Sequence, residues 1–310
     1  MYNPGLKSRF IVDITESIKY RLAYETLFNA TELYEESSGC DLCAMSKDDV
    51  TSVFGNVGGI QNNSRKKRLM MMRSYCNWCL THGVNGATDN ILSIKQDDDV
   101  EKQIRTNMVA NPKQLQMYLN NIFRSPQEGT VDNIYRCVVW LSFMGVEKKN
   151  IPLIRVEDVD LINLVVKYGD QTYPIYRESI SEFRSCKLSN IVKQTSPKTG
   201  ICSLSKVESN YLLRSAKYET INMASFSALY SKIISEFESR IDPPQKIAIR
   251  MAFLSGAYYR IYTDEVCGIP PDFSFLVDKH SGNKVLKKTA MEYERATKAD
   301  YNRWKNVFYK

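Results

Sequence analysis

Histidine is almost absent from this sequence: 310 residues hold two, His82 and His280. Imidazole is the side chain that titrates near neutral pH, so acid–base chemistry built on it has almost nowhere to sit. Long apolar runs are missing too. The longest, such as CVVWLSFMGV, fall well short of the ~20 residues that cross a bilayer, so no helical membrane span is expected. The opening MYNPGLKSRF lacks a basic head followed by an apolar segment, so no secretory leader is expected and the chain reads as cytoplasmic. Internal repeats and low-complexity tracts are also absent. Eight cysteines in such a context read as reduced thiols and not as a disulfide framework.

What is present describes a globular protein. Apolar residues make up 43% and charged residues 25%, in a chain long enough for one large or two ordinary domains. Lys and Arg number 42 against 35 Asp and Glu, a net charge of +7. That balance permits a nucleic-acid partner and would steer one, but does not require it.

Periodicity points to helices. From Glu16, ESIKYRLAYETLFNATELYEE places Ile18, Leu22, Leu27, Ala30 and Leu33 on one expected apolar face, and Gly39 suits the helix end. Ser46 is an expected N-cap, with Asp48 and Asp49 in the first turn. NNSRKKRLMMMRSYCNWCLTHGV then predicts a helix that begins basic and ends apolar. Residues 88–111, with the acidic run Asp97 to Asp99, read as a linker. Pro112 reopens helical text, and TVDNIYRCVVWLSFMG continues it. LINLVVKYGDQTYPIY supplies the clear β signal, a hairpin. Helical text resumes in SISEFRSCKLSN, NMASFSALYSKIISEFESRI, PPQKIAIRMAFLSGAYYRIYTDEV and the charged C-terminal stretch. The expected layout is a helical domain over 1–87, a linker over 88–111, and a mainly helical domain over 112–310 with a small antiparallel β element.

Two constellations suggest chemistry. Cys40 with Cys43 and Cys76 with Cys79 form C-x-x-C pairs, a spacing that can hold zinc. Cys76 and Cys79, however, fall on an apolar helix face with Met72 and Leu80, and Cys43 stands where a core residue is needed. They read as small hydrophobes, with zinc as the alternative, so no metal or other cofactor is expected. The second constellation is basic. Arg65, Lys66, Lys67 and Arg68 occupy one helical turn and Arg73 follows near Lys66, a face that can lie across phosphates or sit solvated. Asn62, Asn63 and Ser64 just ahead favour DNA.

Over most of the chain, these segments resemble the tyrosine recombinase and phage integrase family. YRLAYETLFNATELYEESSGCDLCAMSKDDV and SRKKRLMMMRSYCNWCLTHGV resemble its SAM-like core-binding domain. NPKQLQMYL, CVVWLSFMGVEKKNIPLIRVEDVDL, LINLVVKYGDQTYPI and PPQKIAIRMAFLSGA resemble successive parts of its catalytic domain. That resemblance implies a two-domain clamp on double-stranded DNA. It also implies degenerate chemistry. Glu147 stands where a phosphate-binding Arg is needed, and a carboxylate there would repel the scissile phosphate. Ile247 stands where a His would move a proton. Tyr293, Tyr301 and Tyr309 do not fall at the spacing of the nucleophile. No catalytic residue is therefore assigned.

Short stretches, including the start and the LRSYCNWC-like helix, further resemble the lysogeny repressors of SPbeta-like temperate phages. The implied function is a non-catalytic, sequence-specific transcriptional repressor bound to a duplex operator on the nucleoid of a bacterial host. Relief by a peptide, a protein antagonist or turnover stays open, as does oligomeric state. Expected DNA contacts are Arg65, Lys66, Lys67, Arg68 and Arg73 on one domain, and Lys167, Arg214 and Arg250 on the other. An active recombinase with displaced residues, or a scaffold working through protein contacts, are the alternative readings.

Overall fold

The computed structural model describes residues 1–59, 62–96, 99–123, 131–196, 200–238, 245–277 and 287–310. Helices come first: α1 (Pro4–Ile14), α2 (Ile18–Ser38), α3 (Lys47–Val57), α4 (Asn62–Thr81), α5 (Val100–Asn107), α6 (Pro112–Ile122) and α7 (Val131–Phe143). Strands β1 (Val159–Asp160), β2 (Val165–Tyr168) and β3 (Gln171–Pro174) precede α8 (Ile180–Leu188), and β4 (Ile191–Ser196) and β5 (Gly200–Ser205) follow it. The chain ends in α9 (Met223–Glu238), α10 (Ile249–Val266), α11 (Ser274–Val277) and α12 (Lys287–Phe308). The protein is thus mainly α with small antiparallel β elements.

The chain folds into two compact units, Met1–Ile104 with Phe273–Lys310, and Arg105–Asp272. This division differs from the expected one at both ends. The segment expected as a linker carries a 3-10 turn, Asn90–Ser93, and α5. It also buries Ile91, Ile94, Ile104, Met108, Val109 and Ala110. Its short apolar residues are too sparse to show helical periodicity, yet each fills a core position. The C-terminal α12 packs on α4 and groups with the first unit, a long-range pairing that no local pattern announces.

In the first unit, local cues place α2 to α4. Gly39 closes α2 at φ 66, a left-handed conformation that glycine adopts without a Cβ penalty. Ser46 Oγ accepts from the Asp49 amide at 3.2 Å and starts α3. Two departures are instructive. Helix α1, absent from the expected layout, begins with Pro4 in its first turn and buries Leu6, Lys7, Phe10 and Ile11. Helix α2 turns a different face inward: Tyr24, Leu27, Phe28, Thr31 and Glu35 are buried. Ile18, Leu22 and Leu33 are exposed. The reason lies in the partner, because Phe10 of α1 meets Tyr24 and Phe28 edge-on, with ring centroids at 5.0 and 6.0 Å. The Lys7 ammonium reaches both Glu35 carboxylate oxygens at 2.6 and 2.5 Å.

The second unit is built around α7, whose Val138, Val139, Trp140, Leu141 and Phe143 are fully enclosed. Helix α10 approaches it so closely that a Cβ on Gly256 would lie 1.7 Å from the Phe143 carbonyl oxygen. Only glycine permits that approach. Strands β1, β2 and β3 form an antiparallel sheet, with Val166 opposite Tyr173 and Lys167 opposite Thr172. The hairpin expected there is therefore present. Strands β4 and β5 form a second antiparallel pair, with Ile191 opposite Ser205. Its text is Lys-, Ser- and Thr-rich and lacks the apolar alternation that marks a half-buried strand.

Candidate nucleic-acid interface

The basic face of α4 separates by residue type. Arg65 is fully buried. Its Nε donates to the Gln96 carbonyl at 2.6 Å, its Nη1 to the Gly59 carbonyl at 3.1 Å, and its guanidinium lies 4.4 Å from the Phe54 ring centroid. Arg68 donates to the Val57 carbonyl at the end of α3, and burial pushes its guanidinium below the usual arginine value. Arg73 Nη2 donates to the Ile94 carbonyl at 2.7 Å and to that of Leu92 at 3.2 Å. Arg68 and Arg73 thus bond carbonyls at the ends of α3 and of the Asn90–Ser93 turn, and Arg65 bonds those of the loops just beyond them. Arg65, expected at the DNA surface, is a core residue, because its planar fork can bridge two segments whose carbonyls point inward.

Lys66 and Lys67 are exposed, beside the exposed Met70. Their side chains leave α4 toward solvent, so this strip is where a phosphate backbone could be met. The side chains of Asn62 and Asn63 lie outside the described residues, as do Asp97, Asp98 and His280.

In the second unit, Lys167 is exposed on β2 and Arg250 is exposed in the first turn of α10. Arg214 is half-buried. Its Nη1 donates to the Ser209 carbonyl at 2.5 Å and its Nη2 to Asn190 Oδ1 at 2.9 Å, tying the start of β4 to the 209–218 segment. That is a holding role first.

The turn after α7 is shaped by Gly145, whose φ of 102 lies in the left-handed region. Glu147 is half-exposed there, and its carbonyl accepts from the amides of Asn150 at 2.8 Å and Ile151 at 3.2 Å. Its carboxylate faces Lys149 at 3.3 Å. Behind the turn lies Arg260, a residue that sequence reading missed. Its Nη1 donates to the Phe143 carbonyl at 2.9 Å, and its Nη2 would stand 2.7 Å from a Cβ on Gly145. Burial lowers the Arg260 guanidinium, which the Tyr176 hydroxyl offsets in part. Burial, then the Glu147 carboxylate, pushes the Tyr173 hydroxyl up. The signal for Arg260 was a lone arginine amid the aromatics of GAYYRIY.

Ile247, three residues before Arg250, is fully buried and belongs to the core with Tyr118 and Tyr230. Tyr301 is also buried, with ring centroids 5.6 Å from Phe273 and 6.1 Å from Trp304. Tyr309 lies 5.4 Å from Trp304, and Tyr293 lies on α12 half-buried. The three tyrosines belong to the first unit, whereas Glu147, Lys167, Ile247 and Arg250 belong to the second. Cys43, Cys76 and Cys79 are buried in the first unit's core. No helix among the described residues is long and apolar enough to cross a membrane.

Comparison with known proteins adds the following. The integrase of transposon Tn1549, solved in complex with a circular-intermediate DNA, is 10% identical, with a TM-score of 0.37 over 94% of this chain and 98% of that one. The XerA recombinase is 10% identical, with a TM-score of 0.38 over 95% and 98%. No curated protein matches the chain. Residues 1–81 match the family described as the N-terminal core-binding domain of MrpR.

Proposed function

We propose that this chain is a sequence-specific binder of double-stranded DNA, built on a recombinase-like scaffold and acting as a transcriptional repressor in phage lysogeny. The observation that carries the reading is the match of residues 1–81 to a core-binding domain family. Within that segment, Lys66 and Lys67 face solvent from α4 while the neighbouring arginines hold the fold. Lysine ammonium groups on a rigid helix neutralise phosphates and release counterions, the sequence-independent part of DNA affinity. Lys167 and Arg250 are the candidate contacts on the second unit.

The proposed role excludes strand transfer. A 3′-phosphotyrosyl intermediate needs cations at the scissile phosphate and groups that move protons. Glu147 is an anion, and Ile247 is an alkyl side chain enclosed in the core. The test is a duplex-retention assay with Lys66→Glu/Lys67→Glu and Arg250→Glu. Loss of retention in both supports the reading, and unchanged retention in both removes it.

A further inference from the structure

The apolar residues Ile18, Leu22 and Leu33 of α2, expected from the sequence to face a core, are 74%, 57% and 75% exposed. Single exposed apolar residues are ordinary, but these three share one line along a helix of 21 residues, about 30 Å. Thr26 and Asn29 complete the line and are exposed too. The Thr26 hydroxyl is engaged within the helix, donating to the Leu22 carbonyl at 2.7 Å. The buried residues of α2, Tyr24, Phe28 and Glu35 among them, lie on the opposite side. The described residues therefore leave this outer face uncovered.

The charges of α2 run against its own dipole. Lys19 stands exposed in the first turn and Glu36 exposed in the last, with no acid in the first turn and no base in the last. A helix terminus is stabilised by the opposite arrangement. An antiparallel neighbour of the same sequence reverses the mismatch, because it brings an acidic end to each basic one.

We propose that this face pairs with the same face of a second copy of the chain, α2 against α2 in antiparallel order, about a two-fold axis midway between Leu22 and Leu33. That register sets Leu22 against Leu33 of the second copy, and Leu33 against its Leu22, as an isologous contact requires. Thr26 meets Asn29 in the middle, where the smaller side chains let the helices approach. Lys19 comes level with Glu36 of the second copy. A parallel pair would instead bring Lys19 to Lys19 and Glu36 to Glu36. Exposed charges of this kind add little affinity and serve to set direction. A seam of this length buries about 1,000 Å² in total, the lower end of specific interfaces, so the dimer is reversible and depends on concentration.

Sedimentation equilibrium of the full chain tests the pairing without DNA, so its outcome is separate from that of the proposed function. The expected mass is that of two chains at high concentration, falling on dilution to the 35.7 kDa of one. Leu22→Glu/Leu33→Glu should stay at the single mass throughout, with its unfolding midpoint unchanged because neither leucine lies in the core. Leu22→Cys and Leu33→Cys chains, each carrying Cys267→Ser to remove an exposed thiol, should link on mild oxidation when mixed, with the linked peptide identified by mass. Neither should link alone, because the two copies of each residue lie at opposite ends of the seam. A dimer that survives Leu22→Glu/Leu33→Glu, or a link formed by Leu22→Cys alone, overturns the proposal. So does a wild-type chain of single mass, and loss of duplex retention by the glutamate variant would then place DNA on this face.

Discussion

The Ile247 amide donates to the Tyr118 hydroxyl at 2.9 Å, and its carbonyl accepts from the Tyr230 hydroxyl at 2.9 Å. Both tyrosines are themselves buried, so the backbone ahead of α10 is held from α6 and from α9 at one residue. The side chain between those bonds has no route to solvent. A position held in this way serves packing.

Ile247→His is therefore expected to disturb packing and not to create strand-transfer activity. It places an unpartnered polar ring among apolar neighbours, which costs about 1–3 kcal/mol. Urea denaturation should show that loss. A nicked duplex substrate that traps tyrosyl adducts should show no product, in this variant or in Ile247→His with Glu147→Arg.

On α4 the lysines and arginines should part company. Lys66→Glu/Lys67→Glu is expected to weaken duplex binding by about 10–100-fold and to shallow its salt dependence, with little change in unfolding. Arg65→Ala is expected to lower stability by about 2 kcal/mol or more, because two carbonyls lose a charged donor. Salt-series binding beside chemical denaturation separates the two effects.

Lys7 and Glu35 give a pH dependence. Burial raises the Glu35 carboxyl above its ordinary 4.5, although Lys7 opposes this, and the Leu42 amide and Thr31 hydroxyl also bond it. The folded state thus holds this proton more tightly than the unfolded chain. The associated stability is fully present below pH 4.5 and is lost as pH rises through the folded value. Glu35→Gln should flatten that slope in urea midpoints measured upward from pH 4.5. Lys7→Ala, which strands the carboxylate, should cost about 3–5 kcal/mol at neutral pH.

The close approach of α10 to α7 predicts a graded glycine series. Gly256→Ala meets backbone at 1.7 Å and should abolish soluble second-unit structure. Gly145→Ala meets the Arg260 guanidinium at 2.7 Å at positive φ and should cost about 1–3 kcal/mol. Gly5→Ala has nothing within 4 Å and should be silent by thermal melting.

Where function was legible, it was legible through local chemistry. Ser46, Gly39 and Pro112 each act within one turn, so their caps could be read directly. The β2–β3 hairpin follows from its own turn. What escaped was decided at a distance. The buried face of α2 depends on Phe10 and Lys7 of a helix whose own text is short. Arg65 reads as surface in a basic run, and only the carbonyls of Gly59 and Gln96 make it core. The same logic hid Arg260 and the packing of α12 on α4.

The central claim is binding without cleavage, and one measurement tests it most directly. The purified chain is incubated at physiological salt with a random-sequence duplex library, and retained DNA is sequenced before and after denaturation with detergent. The account predicts a shared short motif in the retained pool and no DNA left on the protein after detergent. Retention without a motif, or a motif that survives detergent as a protein–DNA adduct, would contradict it.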